Sequence, residues 1–313
     1  MTVRAGDDAG QDGVRAFVPA AIEVVAAGVD PARCEGSALL VHGILGSGAN
    51  WRSFVRRLVA TSPAAARLRW VLVDLRHHGE STRLAETPLP PDTVAACADD
   101  CLRLGRKLGV HWDVLAGHSF GGKVALDLAR REGANARQLW LLDSPPGAQP
   151  ERATNSLAKS AQRLPATNAG DELARVIAAL RAVGDPLPPR AEVGRRLTEL
   201  GLSPPLAEWM TTNVRGDEAT GYRWKFDLAR CEALIADYLT LDDWSFVEAP
   251  PAGLEVRIVY GGRSDRFGPA ECARLGRLPP GQVAVLPAAG HWLHADDPAG
   301  LMAVLAAGLS RAS

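Results

Sequence analysis

Between residues 37 and 142 the chain alternates short apolar runs with stretches of helical spacing. Residues 37–41, 70–74, 112–116 and 138–142 are dominated by apolar side chains, the mark of strands buried on both faces. Residues 51–59 and 92–108 repeat apolar positions at helical intervals, the second with Asp92 at its start and Gly109 just past its end. Residues 123–130 read as a further helix. Upstream, residues 16–18 and 22–27 predict a pair of edge strands, and the polar, Gly-rich residues 1–13 predict a flexible N-terminus. From 148 to 250 the rhythm changes. No buried strand is evident, and amphipathic helices are expected at 171–183, 191–200 and 229–241. Strand–helix alternation resumes with 255–260, 268–275 and 282–286, and a helix near 298–309 closes the chain. The pattern predicts an α/β fold with a mostly parallel central sheet flanked by helices. Its core spans 14–147 and 251–313, and 148–250 form a helical cap or lid inserted after the strand at 138–142.

In such a sheet, sites lie beyond the carboxyl ends of the strands. His42, Ser81, Ser119 and Asp143 all follow predicted strand ends, so the topology gathers them on one edge. The most specific pattern is Gly117-His118-Ser119-Phe120-Gly121-Gly122, between a strand and a helix. A serine on a strand-to-helix turn, with glycine two places before and two after, is the nucleophile-elbow pattern. The flanking glycines avoid collisions with neighbouring backbone, and the serine stands at a helix N-terminus that favours developing negative charge.

A serine hydroxyl needs a base to become a nucleophile. His291, directly after the last predicted strand, is the candidate. His294 reads as structural, and His118, His42 and the adjacent His77 and His78 as loop or turn residues. The base needs a carboxylate to fix its tautomer. Asp265, after the strand at 255–260, is the first candidate, and Asp143 is the alternative. The second requirement is a pair of backbone N–H groups for an oxyanion. Phe120 supplies one, and Ile44 of the His42-Gly43-Ile44 loop the other. Trp51, Phe120 and Trp292, with Trp209, Trp224 or Phe226 from the insertion, are candidates for an apolar acyl pocket.

Composition narrows the function classes. The chain has 313 residues, 47% hydrophobic and 23% charged, with a net charge of −1. That balance argues against a nucleic-acid or anionic-membrane partner. Its five cysteines form no C-x-x-C pair. They read as buried small residues in a reducing, cytoplasmic setting rather than as metal ligands. No apolar run reaches membrane-spanning length, so stable membrane insertion is not expected. The choice between monomer and homodimer is left open.

Five ordered motifs complete the picture: His42-Gly43…Gly46-Ser47, Asp74-Leu75-Arg76…His78-Gly79…Ser81, the elbow followed by Lys123, Gly262…Asp265, and Gly290-His291-Trp292-Leu293-His294-Ala295-Asp296. Together they resemble the α/β-hydrolase superfamily, and within it a small esterase-like branch of bacterial, mitochondrial and plant proteins. The resemblance implies Ser119 as nucleophile, His291 as base, the Ile44 and Phe120 amides as oxyanion donors, no cofactor and no metal. It also implies that relatives place their acid at the position of Asp143, assisted by a serine near Ser264. Because this chain carries Asp143, Asp265 and Ser264, the acid stays open between the two aspartates. The implied activity is hydrolysis of a small or medium carboxylic ester or thioester through an acyl-enzyme. Alternatives are C–C bond hydrolysis, lactone opening, acyl transfer or perhydrolysis on the same triad, or a ligand receptor with little turnover.

Overall fold

The computed structural model describes residues 17–84, 91–131, 135–150 and 172–310, together with the backbone of residues 2–3. Its central sheet is built from β1 (Thr2–Val3), β2 (Ala21–Val24), β3 (Gly36–Val41), β4 (Leu68–Val73), β5 (Val114–His118), β6 (Gln138–Leu142), β9 (Glu255–Gly261) and β10 (Val283–Leu286). The strand order is β1-β2-β4-β3-β5-β6-β9-β10. The first two strands run antiparallel, and every pairing from β4 to β10 is parallel. β1 falls within the segment expected to be flexible; residues 4–16 lie outside the described residues. The edge strand is shorter than the sequence implied, with only residues 21–24 in β2.

The strands are apolar because both faces are covered. Alternate residues belong to opposite cores. Leu39, Val41, Leu115, Leu139 and Leu141 pack on one side with α3 (Val94–Leu108) and α4 (Phe120–Arg130). Ala38, Leu40, Val114, Ala116 and Trp140 pack on the other with α1 (Gly48–Thr61), α2 (Pro63–Ala66) and the closing helix Pro298–Leu309. Each fully buried large apolar side chain contributes about 1.5–3 kcal/mol. Local signals set the helix ends. Thr93 Oγ1 accepts from the Ala96 N–H at 3.1 Å, and Gly109 ends α3 with φ +64°.

Register places the strand ends level with one another. His118 pairs with Leu142, and Leu142 with Val259. Ser119, Asp143 and the turn after β9 therefore leave the sheet side by side.

Between β6 and β9 lie the helices Glu172–Val183, Arg190–Glu199, Pro204–Thr211, Leu228–Thr240 and Trp244–Glu248. Residues 151–171 are outside the described residues. The sequence predicts helices and no buried strand in this segment, and the structure adds one short hairpin to the helices. β7 (Val214–Asp217) and β8 (Gly221–Trp224) form an antiparallel hairpin. These strands are short and mostly exposed, so they leave no apolar run in the sequence. The insertion has its own apolar cluster, including Leu180, Val193, Leu197 and Met210, and Leu45 of the core joins it.

Candidate active site

Ser119 sits between β5 and α4 with φ +52° and ψ −122°. A residue bearing a Cβ adopts that conformation only where surrounding structure holds it, at about 1–3 kcal/mol. The neighbouring glycines make the turn possible. A Cβ on Gly117 would lie 2.0 Å from the Gly121 carbonyl oxygen, one on Gly121 2.4 Å from the Val41 oxygen, and one on Gly122 2.2 Å from Ser144 Oγ. The turn is tied down by the Ser119 N–H donating to the Leu142 carbonyl at 3.0 Å and Ser144 Oγ donating to the Ser119 carbonyl at 2.6 Å.

His291 comes from the loop after β10. That loop is pressed onto the end of β9, where a Cβ on Gly261 would meet the Gly290 oxygen at 2.2 Å. His291 Nδ1 lies 2.6 Å from Asp143 Oδ2. The carboxylate only accepts, so the proton is on Nδ1 and Nε2 carries the lone pair. Asp143 is fully buried at the end of β6 with φ +47°. It also accepts from the Gly261 N–H at 3.0 Å and from Ser264 Oγ at 2.6 Å. Burial raises its pKa to about 6, against the opposing pull of the Ser264 and Gly261 hydrogen bonds.

The carboxylate that meets His291 is therefore not the one preferred from the sequence. Asp265 has a side chain 44% exposed and pairs with Arg266 Nε at 3.3 Å. Both aspartates follow strand ends, so spacing alone did not separate them. The difference is that the β6 end buries Asp143 beneath the histidine loop. Ser264 takes the place at the β9 turn.

His118 lies under this pair. It is fully buried, with its pKa pushed down to about 3 by burial. Its Nε2–H donates to the His291 carbonyl at 2.8 Å, a role no sequence signal announced. Ile44 lies in the loop after β3, which lines the same cavity as Ser119, and Phe120 begins α4. Neither of their N–H groups has an acceptor among the described residues.

A cavity of about 50 Å³ opens beside Ser119 and His291, bordered by Ile44, Val176, Leu206, Trp209 and Trp292. Arg266 and Glu172 also line it and pair at 3.2 Å. Trp292 borders this cavity. Trp51 does not: only 1% exposed, it lies in the core with Phe54 and Leu58 and stacks on His294 at 4.0 Å. Its place on the inward face of α1 explains this. The Phe120 ring is buried near Tyr238. Trp209 packs against Trp292 at a tilt of 46° with ring centroids 4.3 Å apart, whereas Trp224 and Phe226 stack on each other. A larger recess of about 260 Å³ lies at the opposite ends of the strands, near Gly36 and Val114. Its charged groups are already paired, Arg67 with Glu35 and Arg137 with Asp113.

Among the described residues no group of three or more His, Cys, Asp or Glu side chains is arranged to hold a metal ion. No helix among them is long and apolar enough to cross a membrane.

Comparison with known proteins agrees with this architecture. The chain is 28% identical over 273 residues to the mouse (Mus musculus) sn-1-specific diacylglycerol lipase ABHD11, covering 84% of this chain and 78% of that protein. The Xenopus tropicalis counterpart is 28% identical over 269 residues, covering 82% and 73%. Among solved structures, a marine microorganism esterase superposes with a TM-score of 0.68 at 21% identity, covering 92% of this chain and 98% of its own. An esterase from Thermogutta terrifontis superposes with a TM-score of 0.62 at 20% identity, covering 97% and 96%. Residues 38–304 match the profile of the alpha/beta hydrolase family. That span runs from β3 to the closing helix and contains every residue gathered at the site: the chain belongs to the alpha/beta hydrolase family.

Proposed function

We propose that this hydrolase cleaves a small or medium carboxylic ester, or a thioester, through an acyl-enzyme on Ser119. The observation that carries the reading is the 2.6 Å contact between His291 Nδ1 and buried Asp143, beside the cavity that Ser119 lines. With its proton held on Nδ1, His291 presents Nε2 as the base for the Ser119 hydroxyl. Ser119 Oγ attacks the substrate carbonyl carbon, and the Ile44 and Phe120 amides receive the oxyanion. The imidazolium, stabilised by Asp143, then gives its proton to the leaving alcohol or thiol. Water, activated by the same imidazole, attacks the acyl-enzyme and releases the acid. Ser264 supports the acid by donating to the oxygen that also faces His291.

Residues 148–250 serve in this reading as a lid. Val176, Leu206 and Met210 from that segment line the cavity, so the insertion shapes the acyl site. The named activity of the relatives, lipase and esterase, agrees with the reading.

Hydrolysis of p-nitrophenyl acetate and butyrate tests it. The wild type turns both over, and a fluorophosphonate labels Ser119; Ser119→Ala does neither. Absence of both signals in the wild type overturns the reading. Labelling without turnover of an acyl-chain series of esters and thioesters would favour a receptor or another triad reaction.

A further inference from the structure

We infer that His78 is a positioning residue for the oxyanion hole, holding the Ile44 amide in place from behind the loop. The inference rests on the reading above, in which Ile44 is an oxyanion donor.

The loop after β3 turns sharply. The Gly46 N–H donates to the Gly43 carbonyl at 3.1 Å, and Leu45 is left-handed with φ +63°. A leucine does not hold that conformation unaided. Two imidazoles grip the turn, His42 from the start of the loop itself and His78 from the segment after β4. His78 Nδ1 lies 2.8 Å from the Arg76 carbonyl, which can only accept, so the proton is on Nδ1 and Nε2 is bare. That bare nitrogen accepts the Leu45 N–H at 3.2 Å. His42 uses the same logic. Its Nε2 accepts from the Leu75 N–H at 3.0 Å, so its Nδ1–H donates to the Gly43 carbonyl at 2.7 Å.

The two contacts act on consecutive peptide planes. The Gly43 carbonyl and the Ile44 N–H belong to one trans peptide, so gripping the oxygen aims the N–H the opposite way. The Leu45 N–H belongs to the next plane. With His42 on the first plane and His78 on the second, both backbone torsions of Ile44 are pinned. Both rings are buried and only 5.0 Å apart, and burial keeps them neutral, as an accepting nitrogen requires.

His78 also reaches the insertion. Cys231 Sγ, on helix Leu228–Thr240, lies 3.3 Å from the same Nε2. The backbone of His78 bridges to Phe226, and the Asp227 N–H donates to the His77 carbonyl at 3.0 Å. Helix Leu228–Thr240 of the insertion and the turn that holds the oxyanion donor thus meet at one imidazole nitrogen.

Two substitutions separate its two nitrogens. His78→Asn keeps a donor near the Nδ1 position and removes the acceptor for Leu45. His78→Gln keeps an acceptor near the Nε2 position. Activity is counted per fluorophosphonate-titratable Ser119. For His78→Asn, kcat falls by roughly 10- to 100-fold with little change in KM, because an oxyanion donor is misaimed rather than removed. The inhibition constant of an alkyl boronic acid, whose tetrahedral adduct is anionic, rises by a similar factor. His78→Gln recovers most of both. Equal behaviour of the two variants, or a loss confined to the number of titratable sites with the boronate constant unchanged, overturns the inference. If neither variant folds, 15N-imidazole NMR of the wild type decides. His78 must show the Nδ1–H tautomer from pH 5 to 8, and an Nε2–H tautomer or an imidazolium overturns the inference. A wild type that neither hydrolyses esters nor labels at Ser119 instead defeats the functional reading itself.

Discussion

Which carboxylate His291 meets is decided by burial at the scale of single side chains. Asp143 has no exposed surface and three hydrogen-bond donors around it, including the His291 ring. Asp265 reaches solvent and an arginine. Neutralising the two should therefore have unequal effects. Asp143→Asn is expected to lower kcat by about 10³- to 10⁴-fold, the scale seen when a triad carboxylate becomes an amide. Asp265→Asn should stay within about tenfold. Steady-state kinetics on p-nitrophenyl butyrate compares them, and equal losses would reinstate Asp265. The pH profile carries a second expectation. Asp143 must be ionised to hold the imidazolium, and burial has raised its pKa to about 6, so kcat/KM should decline as pH falls through that region. The Ser264 hydroxyl favours the ionised form. Ser264→Ala should consequently move the acidic limb to higher pH, and an unmoved limb would remove Ser264 from the network.

Among the elements, the β5–α4 turn is the least tolerant. Gly117 faces backbone of the first turn of α4 and Gly121 backbone at the end of β3, neither of which can withdraw, whereas Gly122 faces a side chain, Ser144. Gly122→Ala alone should cost about 1–3 kcal/mol through overpacking. Combining it with Ser144→Gly removes the clashing atoms. The double variant should melt above Gly122→Ala, even though it gives up the hydrogen bond to the Ser119 carbonyl. Thermal melts of the two variants and the wild type read this coupling directly. α4 also anchors the insertion. Lys123 is buried, and its Nζ donates to the carbonyls of Gly147, Tyr238 and Leu241 at 2.8–2.9 Å. One cation on the elbow helix thus closes the end of helix Leu228–Thr240 against the loop after β6.

The whole molecule stores buried, neutral imidazoles beneath the site. Burial lowers the pKa of His42 to about 4, and of His118 and His294 to about 3, from 6.5. Below that unfolded value the unfolded chain binds more protons than the native one, so these groups make stability fall as pH drops from 6.5 toward 3. Asp74 and Asp143, raised by burial from 3.8 to about 6, act in the opposite sense between those two values. The decline should therefore be shallow down to about pH 4 and steep below it. His294 isolates one contribution. Its Nδ1 is buried without a hydrogen-bond partner among the described residues, and its ring stacks on Trp51. His294→Phe should change stability at pH 7 by no more than about 1 kcal/mol. It should also lose less of its Tm between pH 7 and pH 4. An acid decline as large as that of the wild type would show that His294 does not titrate on unfolding.

By itself, the chain of residues determined the parallel sheet, the serine elbow and the position of His291. These are local consequences of apolar runs, of glycines that a tight turn requires, and of motif order, and β5, α4 and β10 follow them closely. The helices between β6 and β9 were legible too, because the helical pattern replaces the strand rhythm there. Tertiary structure alone decided what depends on comparing two places far apart in the chain. Asp143 and Asp265 are both acidic residues after strands, and only the packing of the loop at 287–292 over β6 separates them. His118 and His78 read as loop histidines until their nitrogens are seen to hold the His291 carbonyl and the Leu45 amide. Trp51 reads from the sequence as a pocket candidate, and the face of α1 on which it lies puts it in the core. Hydrogen-bond tautomers and burial are set by neighbours brought together across the sheet, and no local pattern encodes them.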